Sequence, residues 1–308
     1  MRTVFLGTSE FAATVLERLV GDPAGPAAHR PALVLTRPDR PAGRGRRLTS
    51  PPVADAARML GIELAQPANV NDSETHELIE SAAPDVVVVC AFGALLKEPL
   101  LSEYELVNVH PSLLPRWRGA APIERALMAG DAQTGVSIMR LTAGLDSGPV
   151  YLTASEPIHP DDTYGSLAPR LARAGGELLV RALDALGRGE PLPFTEQDRQ
   201  LVTYAEKIGP ADRLLDPARP AAELERVVRA LHPHVGARAV LPDGTPLGVR
   251  RAALAPSTPA PGEGVYANGR QLLLGCADGA LELLVVQPPG GRPMDAGAFL
   301  RGHGLPAA

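Results

Sequence analysis

A chain of 308 residues, 45% hydrophobic and 21% charged, has the composition of a soluble globular protein and enough length for one large core or two smaller ones. Its net charge of -5 argues against a protein that coats nucleic acid non-specifically, although a local basic patch stays open. Two cysteines, Cys90 and Cys276, each inside an apolar run, exclude a disulfide framework and a Cys-rich metal site and read as buried thiols.

In chain order, TVFLG (3–7), ALVLT (32–36), DVVVVCAF (85–92) and LVNVH (106–110) are short apolar runs rich in Val that predict strands. Between them EFAATVLERLV, PPVADAARML with Pro at its start, and DSETHELIESAA with a capping residue before it predict helices. Strands that are apolar throughout and alternate with helices predict an α/β domain, a doubly wound and mostly parallel sheet covered on both faces. APIERALMAG then predicts a helix, TGVSIMRL and GPVYLTASEPI two more strands, and the region from Thr163 to Leu186 a long helix. From Gly189 a Pro-rich stretch without a sustained period reads as an extended surface linker. Beyond it the amphipathic AAELERVVRALH precedes short strands separated by PDG (242–244), NG (268–269) and DG (278–279), the pattern of a small antiparallel β-barrel of the OB type. The expected division is 1–188, a linker at 189–210, and 211–308. The longest apolar stretches fall far short of the roughly 20 residues of a membrane helix, and MRTVFLGTSE lacks a signal-peptide pattern, so a cytoplasmic protein is expected.

The chemistry concentrates in NVHPSLLPRWRG, at the end of the strand LVNVH. Residues two apart on a strand face the same side, so Asn108 and His110 present their side chains together, where open α/β sheets bind ligands. Asp146, in the GLDSG loop after the strand TGVSIMRL, belongs to another strand end of the same predicted sheet. A carboxamide to hold a carbonyl oxygen, an imidazole to handle a proton and a carboxylate to orient it would suit acyl transfer. By themselves, an Asn and a His at a strand end are more often turn-forming or satisfied buried groups than catalytic ones, and Asp146 is most simply a turn residue. His232 and His234 lack companions at ligand-like spacing. The sequence has no G-x-G-x-x-G after its first strand, no Walker A lysine motif, no H-E-x-x-H and no G-x-S-x-G, which removes support from dinucleotide, nucleotide, zincin and serine-hydrolase readings.

Between Arg37 and Arg47 stand five arginines, Arg37, Arg40, Arg44, Arg46 and Arg47, against the single acid Asp39. With Pro38, Pro41, Gly43 and Gly45 interleaved, the stretch reads as a flexible basic loop able to reach phosphates, or as a solvated charged face.

NVHPSLLPRWRGAAPIERAL, followed by QTGVSIMRLTAGLDSG, resembles the formyltransferases that use 10-formyltetrahydrofolate. FLGTSEFAATVLERL, TRPDRPAGRGRRLTSPPV and QLVTYAEKI narrow the resemblance to the methionyl-tRNA formyltransferases, over nearly the whole chain. The resemblance implies a catalytic trio of Asn108, His110 and Asp146, a folate-contacting loop of Ser112, Leu113, Leu114 and Pro115, and tRNA contacts from Arg40, Arg44, Arg46 and Arg47. It further implies formyl transfer from 10-formyltetrahydrofolate to the amino group of initiator methionyl-tRNA by direct amine attack, with 211–308 binding tRNA; a monomer is expected. In that chemistry Asn108 and a protonated His110 donate to the formyl oxygen while Asp146 helps relay the amine's proton, and Ser112 is a loop residue and not a nucleophile. Ala91 to Leu95 either walls the pterin or is only core and turn, and Arg116 and Arg118 either guide the acceptor end or pair locally. The alternatives are a formyltransferase for a small amine, which would not need the basic loop, and an inert RNA-binding protein, against which the complete trio speaks.

Overall fold

The structure is a computed structural model that describes residues 1–21, 29–42, 47–190, 192–255 and 264–303. The chain opens with β1 (Thr3–Gly7), α1 (Glu10–Val20), β2 (Leu33–Leu35), β3 (Arg40–Ala42), β4 (Arg47–Thr49), α2 (Pro52–Met59), β5 (Leu64–Ala65) and α3 (Ser73–Ala82). It continues through β6 (Val86–Cys90), α4 (Leu100–Glu103), β7 (Leu106–His110), β8 (Arg118–Gly119), α5 (Pro122–Ala129), β9 (Gln133–Arg140), β10 (Val150–Pro157), α6 (Tyr164–Gly187) and β11 (Tyr204–Ala205). Last come α7 (Ala221–Leu231), β12 (Ala237–Val240), β13 (Pro246–Leu254), β14 (Gly264–Asn268), β15 (Gln271–Cys276), β16 (Gly279–Gln287), β17 (Met294–Asp295) and α8 (Ala296–Gly302). Two units form: Met1–Gly119 with Thr134–Pro157 and Ala168–Tyr204, and Ala120–Gln133 with Ile158–Leu167 and Ala205–Ala308.

In the first unit the sheet order is β10-β9-β7-β6-β1-β2-β5. The strands β5, β2, β1, β6 and β7 pair in parallel, and β9 lies antiparallel to β7. This is the doubly wound, mostly parallel sheet that the apolar runs predict. All five residues of β1, β6 and β7 are buried, and β6 accordingly carries no polar alternation, whereas β7 alternates valines with the buried Asn108 and His110. On one face Val4, Leu6, Leu35, Val87 and Val89 pack with Ile79 of α3; truncating one such leucine to alanine costs about 2–5 kcal/mol. The helix α1 starts where Ser9 Oγ accepts from Ala12 N, and α3 where Asp72 accepts from Thr75 N. Gly175 of α6 lies so near β7 that a Cβ there would sit 3.0 Å from Val109 Cγ1, so this helix occupies the face of β7 opposite Asn108 and His110.

In the second unit the order is β12-β13-β16-β15-β14, with β17 on β16, and every pairing is antiparallel. The predicted turns PDG, NG and DG join β12 to β13, β14 to β15 and β15 to β16. A register shift in β13 between Val249 and Ala252 bends that strand, and the outer strands β12 and β14 approach each other. The sheet therefore curls into an OB-like half-barrel. Leu224, Val227, Val228 and Leu231 of α7 fill it against Leu247, Leu272, Leu274 and Leu283. The helix α4 is not among the predicted elements, because its four residues are too few for a periodic signal.

The expectation of an irregular basic loop needs correction at its ends. Arg40–Ala42 and Arg47–Thr49 pair antiparallel, with Arg40 opposite Thr49 and Pro41 opposite Leu48, as a two-stranded ladder outside the main sheets. Proline is tolerated there because no second neighbouring strand requires its missing N–H. Arg44 and Arg46 lie outside the described residues.

Candidate active site

Asn108 and His110 stand at the carboxyl end of β7, between β6 and β9, with Asn108 opposite Val89 on one side and Met139 on the other. Both are buried, at 7% and 4% exposure. The loop between β9 and β10 brings Asp146 to them: its Oδ2 lies 3.8 Å from His110 Nδ1, and the carboxyl is 14% exposed. His110 and Asp146 thus meet from different strand ends, and Asn108 stands two residues before His110 on the same side of β7. The glycines of GLDSG have a steric reason, since a Cβ on Gly148 would fall 2.0 Å from the carbonyl oxygen of Arg140. Asp146 itself is left-handed at φ 43°, a sparsely populated conformation for a non-glycine residue.

Hydrogen bonds decide which atoms are available. His110 Nε2 donates to the carbonyl oxygen of Trp117 at 2.9 Å, so Nδ1 is the nitrogen that faces Asp146. Asp146 Oδ2 accepts from Gly119 N at 2.8 Å, and Oδ1 has no hydrogen bond among the described residues. The Asn108 carboxamide is likewise uncommitted among them. A carboxylate oxygen, an imidazole nitrogen and a carboxamide are therefore all left for a guest.

The segment Ser112–Pro115 is rigidly held. Ser112, fully buried, donates its Oγ hydrogen to Arg116 O at 2.6 Å and accepts at its own carbonyl from Ser137 Oγ at 2.7 Å, while Leu114 N donates to Ser137 Oγ at 3.1 Å. A hydroxyl spent in this way is a loop fastener and not a nucleophile. Leu113, Leu114 and Pro115 are half-buried and offer apolar surface beside the trio. In the Ala91–Leu95 stretch Ala91 is left-handed at φ 43°, Thr8 Oγ1 donates to Phe92 O, and Leu95 is 71% exposed.

Residues 1–183 match the formyl transferase family model, and residues 207–304 match that of the formyl transferase C-terminal domain. A methionyl-tRNA formyltransferase of Dechloromonas aromatica is 42% identical over 99% of this chain and 97% of its own, and one of Halorhodospira halophila is 45% identical over the same shares. The chain belongs to the methionyl-tRNA formyltransferase family. Solved structures of lower identity share its fold: HypX of Aquifex aeolicus in complex with tetrahydrofolic acid has a TM-score of 0.65 at 17% identity, covering 97% of this chain and 47% of that longer one. An N-formyltransferase of Helicobacter canadensis, in complex with folinic acid and dTDP-3-aminofucose, has a TM-score of 0.65 at 13% identity, covering 91% and 98%.

For a member of this formyltransferase family, two site residues escape the sequence analysis. Gln197 donates from Nε2 to Asp146 O and Gly148 O, and its Oε1 accepts from Arg118 Nε. Thr203 accepts at Oγ1 from Trp117 N and at its carbonyl from Arg118 N. Gln197 stood in a stretch without period and carried no signal. Thr203 entered only within the QLVTYAEKI resemblance. Arg118 is buried, and its Nε serves the Gln197 carboxamide, whereas Arg116 lies over the Trp117 ring at 4.5 Å. At the root of the basic segment Gln66 Nε2 donates to Asp39 Oδ1 and Arg37 O, and Gln66 Oε1 accepts from Arg58.

His234 stacks on Tyr164 and meets Glu124 at 2.9 Å, and no His, Cys, Asp and Glu cluster among the described residues could hold a metal. A cavity of about 760 Å³ within the second unit is lined by Val228, His232, Arg250, Arg251 and Leu254 among others, and none of the trio lines it. Among the described residues no helix is long and apolar enough to cross a membrane.

Proposed function

We propose that this protein transfers the formyl group of 10-formyltetrahydrofolate to the free amino group of the methionyl moiety of initiator methionyl-tRNA, by direct attack of the amine. The observation that carries the reading is the meeting of His110 Nδ1 and Asp146 Oδ2 at 3.8 Å beside the uncommitted Asn108 carboxamide. The co-substrate supplies an electrophilic formyl carbon. Asn108 donates its N–H to the formyl oxygen, where negative charge grows as the amine bonds, and such a donor acts best when fixed and buried. His110 takes the amine's proton at Nδ1, because Nε2 already carries the hydrogen donated to Trp117 O. Asp146 stabilises the charge that the ring then bears and accepts from the amine at Oδ1, after which the imidazole returns the proton to the departing nitrogen. No covalent enzyme intermediate is needed.

The residues fit a folate co-substrate by their chemistry. Leu113, Leu114 and Pro115 are a stiff, half-buried apolar edge that follows His110 in the chain, near polar groups that have no partner among the described residues, which suits a planar ring with hydrogen-bonding margins. In this reading Arg40, Arg44, Arg46 and Arg47 meet tRNA phosphates, residues 1–188 are the catalytic domain, 189–210 the linker and 211–308 a tRNA-binding domain, in a monomeric enzyme of the cytoplasm. The basic segment favours a tRNA over a small amine as acceptor.

Incubating the purified protein with labelled formyl donor and either charged initiator tRNA or glycinamide ribonucleotide tests the proposal. Label on the tRNA supports it, and label on the ribonucleotide alone rejects it.

A further inference from the structure

The linker stretch after β10 and α6 is more than a connection. Every residue from 193 to 200 is exposed except Gln197, which is half-buried. Thr195 holds this stretch to the start of β10 through a reciprocal pair of backbone bonds with Val150, each 2.9 Å. Two residues on, the Gln197 carboxamide reaches three partners: Nε2 donates to Asp146 O at 2.9 Å and to Gly148 O at 2.7 Å, and Oε1 accepts from Arg118 Nε at 2.9 Å. An amide in this orientation uses both donor hydrogens on carbonyls and its acceptor on a guanidinium, so its three partners specify it fully. Six residues further, Thr203 Oγ1 accepts from Trp117 N at 2.9 Å, and Thr203 O accepts from Arg118 N at 2.9 Å.

These two anchors bear on opposite partners of the proton-handling pair. Gln197 fixes the backbone of Asp146, a left-handed residue at φ 43° that a free loop would not hold in place. Thr203 fixes the backbone of Trp117, also left-handed at φ 62°, whose carbonyl oxygen receives the His110 Nε2 hydrogen. We propose that Gln197 and Thr203 are positioning residues for the transfer reaction: one sets the carboxylate, the other the imidazole, and together they hold the His110–Asp146 distance. The inference rests on the proposed function for its kinetic readout, and it has a structural readout independent of that function. Neither residue touches substrate in this account. A misplacement of about 1 Å at a reacting group can cost roughly a hundredfold in rate, which is the scale on which such a clamp acts.

The test uses the full-length protein with Gln197→Glu, Thr203→Val and Thr203→Ser. The first change would keep an acceptor for Arg118 but set a carboxylate against two carbonyl oxygens, the second would remove the hydroxyl at nearly constant volume, and the third would retain it. The expected result is a fall in kcat of about tenfold or more for Gln197→Glu and Thr203→Val, with KM for methionyl-tRNA changed by less than about twofold, and near recovery in Thr203→Ser. In a His110→Ala background Gln197→Glu should add little, because both changes disable one unit. Trp117 is the chain's only tryptophan, so acrylamide quenching of its fluorescence should rise in Thr203→Val and not in Thr203→Ser. Wild-type kcat in both Gln197→Glu and Thr203→Val, a loss that appears in KM alone, or full additivity with His110→Ala overturns the proposal. Should Thr203→Val fail to fold, Gln197→Glu and its cycle with His110→Ala decide. A wild-type protein that formylates no methionyl-tRNA would sink the proposed reaction instead, and unchanged Trp117 quenching would then separately dismiss the clamp.

Discussion

The His110 ring donates its Nε2 hydrogen to the Trp117 carbonyl oxygen 2.9 Å away, and this one bond leaves Nδ1 as the nitrogen 3.8 Å from Asp146. The family resemblance by itself implies that both Asn108 and His110 donate to the formyl oxygen. With Nε2 committed, the reaction proposed above gives the oxygen's donor role to Asn108 and puts His110 to work on the amine through Nδ1.

That division makes Asn108→Ala informative. Loss of a buried donor to a developing oxyanion lowers kcat by about 10²–10³, with little change in tRNA affinity. Steady-state kinetics beside equilibrium tRNA binding would measure it, and a variant within a few-fold of wild type would remove Asn108 from this role.

His110→Ala and Asp146→Ala should each lose most turnover, on the order of 10²–10⁴ for a proton-transfer group, and retain tRNA binding. The double variant should be little worse than the worse single one, because the two side chains act as a unit. Independent, multiplicative losses would contradict the pairing.

The proposed function makes the basic segment separable from the chemistry. Arg40, exposed on the short ladder opposite Thr49, should when changed to alanine weaken tRNA binding and reduce the slope of log affinity against log salt by about 1. Formyl transfer at saturating tRNA should persist. An unaltered salt dependence would exclude a phosphate contact at this position.

Stability carries a pH signature in the second unit. The Arg125 guanidinium, at 2.6 Å, holds the Asp212 carboxyl below the ordinary carboxylate range, with help from the Gly209 N–H. A carboxyl whose folded pKa is depressed stabilises the fold above its unfolded pKa, and loses that contribution as pH falls through the lower folded value. Asp212→Asn should therefore unfold at lower temperature than wild type at neutral pH, and the gap should close toward acid. A gap independent of pH in thermal melts would show that the ion pair is not its source.

Gly148→Ala tests the steric account of the GLDSG loop. A Cβ 2.0 Å from Arg140 O forces the backbone apart, for about 1–3 kcal/mol of stability and a displaced Asp146. Denaturant midpoints and kcat should fall together; an active, fully stable variant would mean the loop adapts freely.

Much of this was legible along the chain because its causes are local. The uniform burial of VVVVC shows as an unbroken apolar run, Asp72 announces α3 by capping Thr75 three residues on, and the Gly-containing turns mark the hairpins of the curled sheet. Strand alternation also puts Asn108 and His110 on one side without any knowledge of neighbours. Gln197 escaped because its partners Asp146 and Gly148 lie 51 and 49 residues away, and Thr203 because Trp117 is 86 away. No period or propensity encodes such a bond.

What the sequence determined alone was the order of elements, the sheet class and the residue types at the strand end, since backbone propensity, capping and hydrophobic period act over a few positions. The tertiary structure decided which nitrogen of His110 faces Asp146, which carbonyl takes the Ser112 hydroxyl, and that Gln197 and Thr203 reach back to the backbones of Asp146 and Trp117. Those outcomes depend on directional hydrogen bonds between distant segments, which come into being only when packing has brought the segments within about 3 Å of each other.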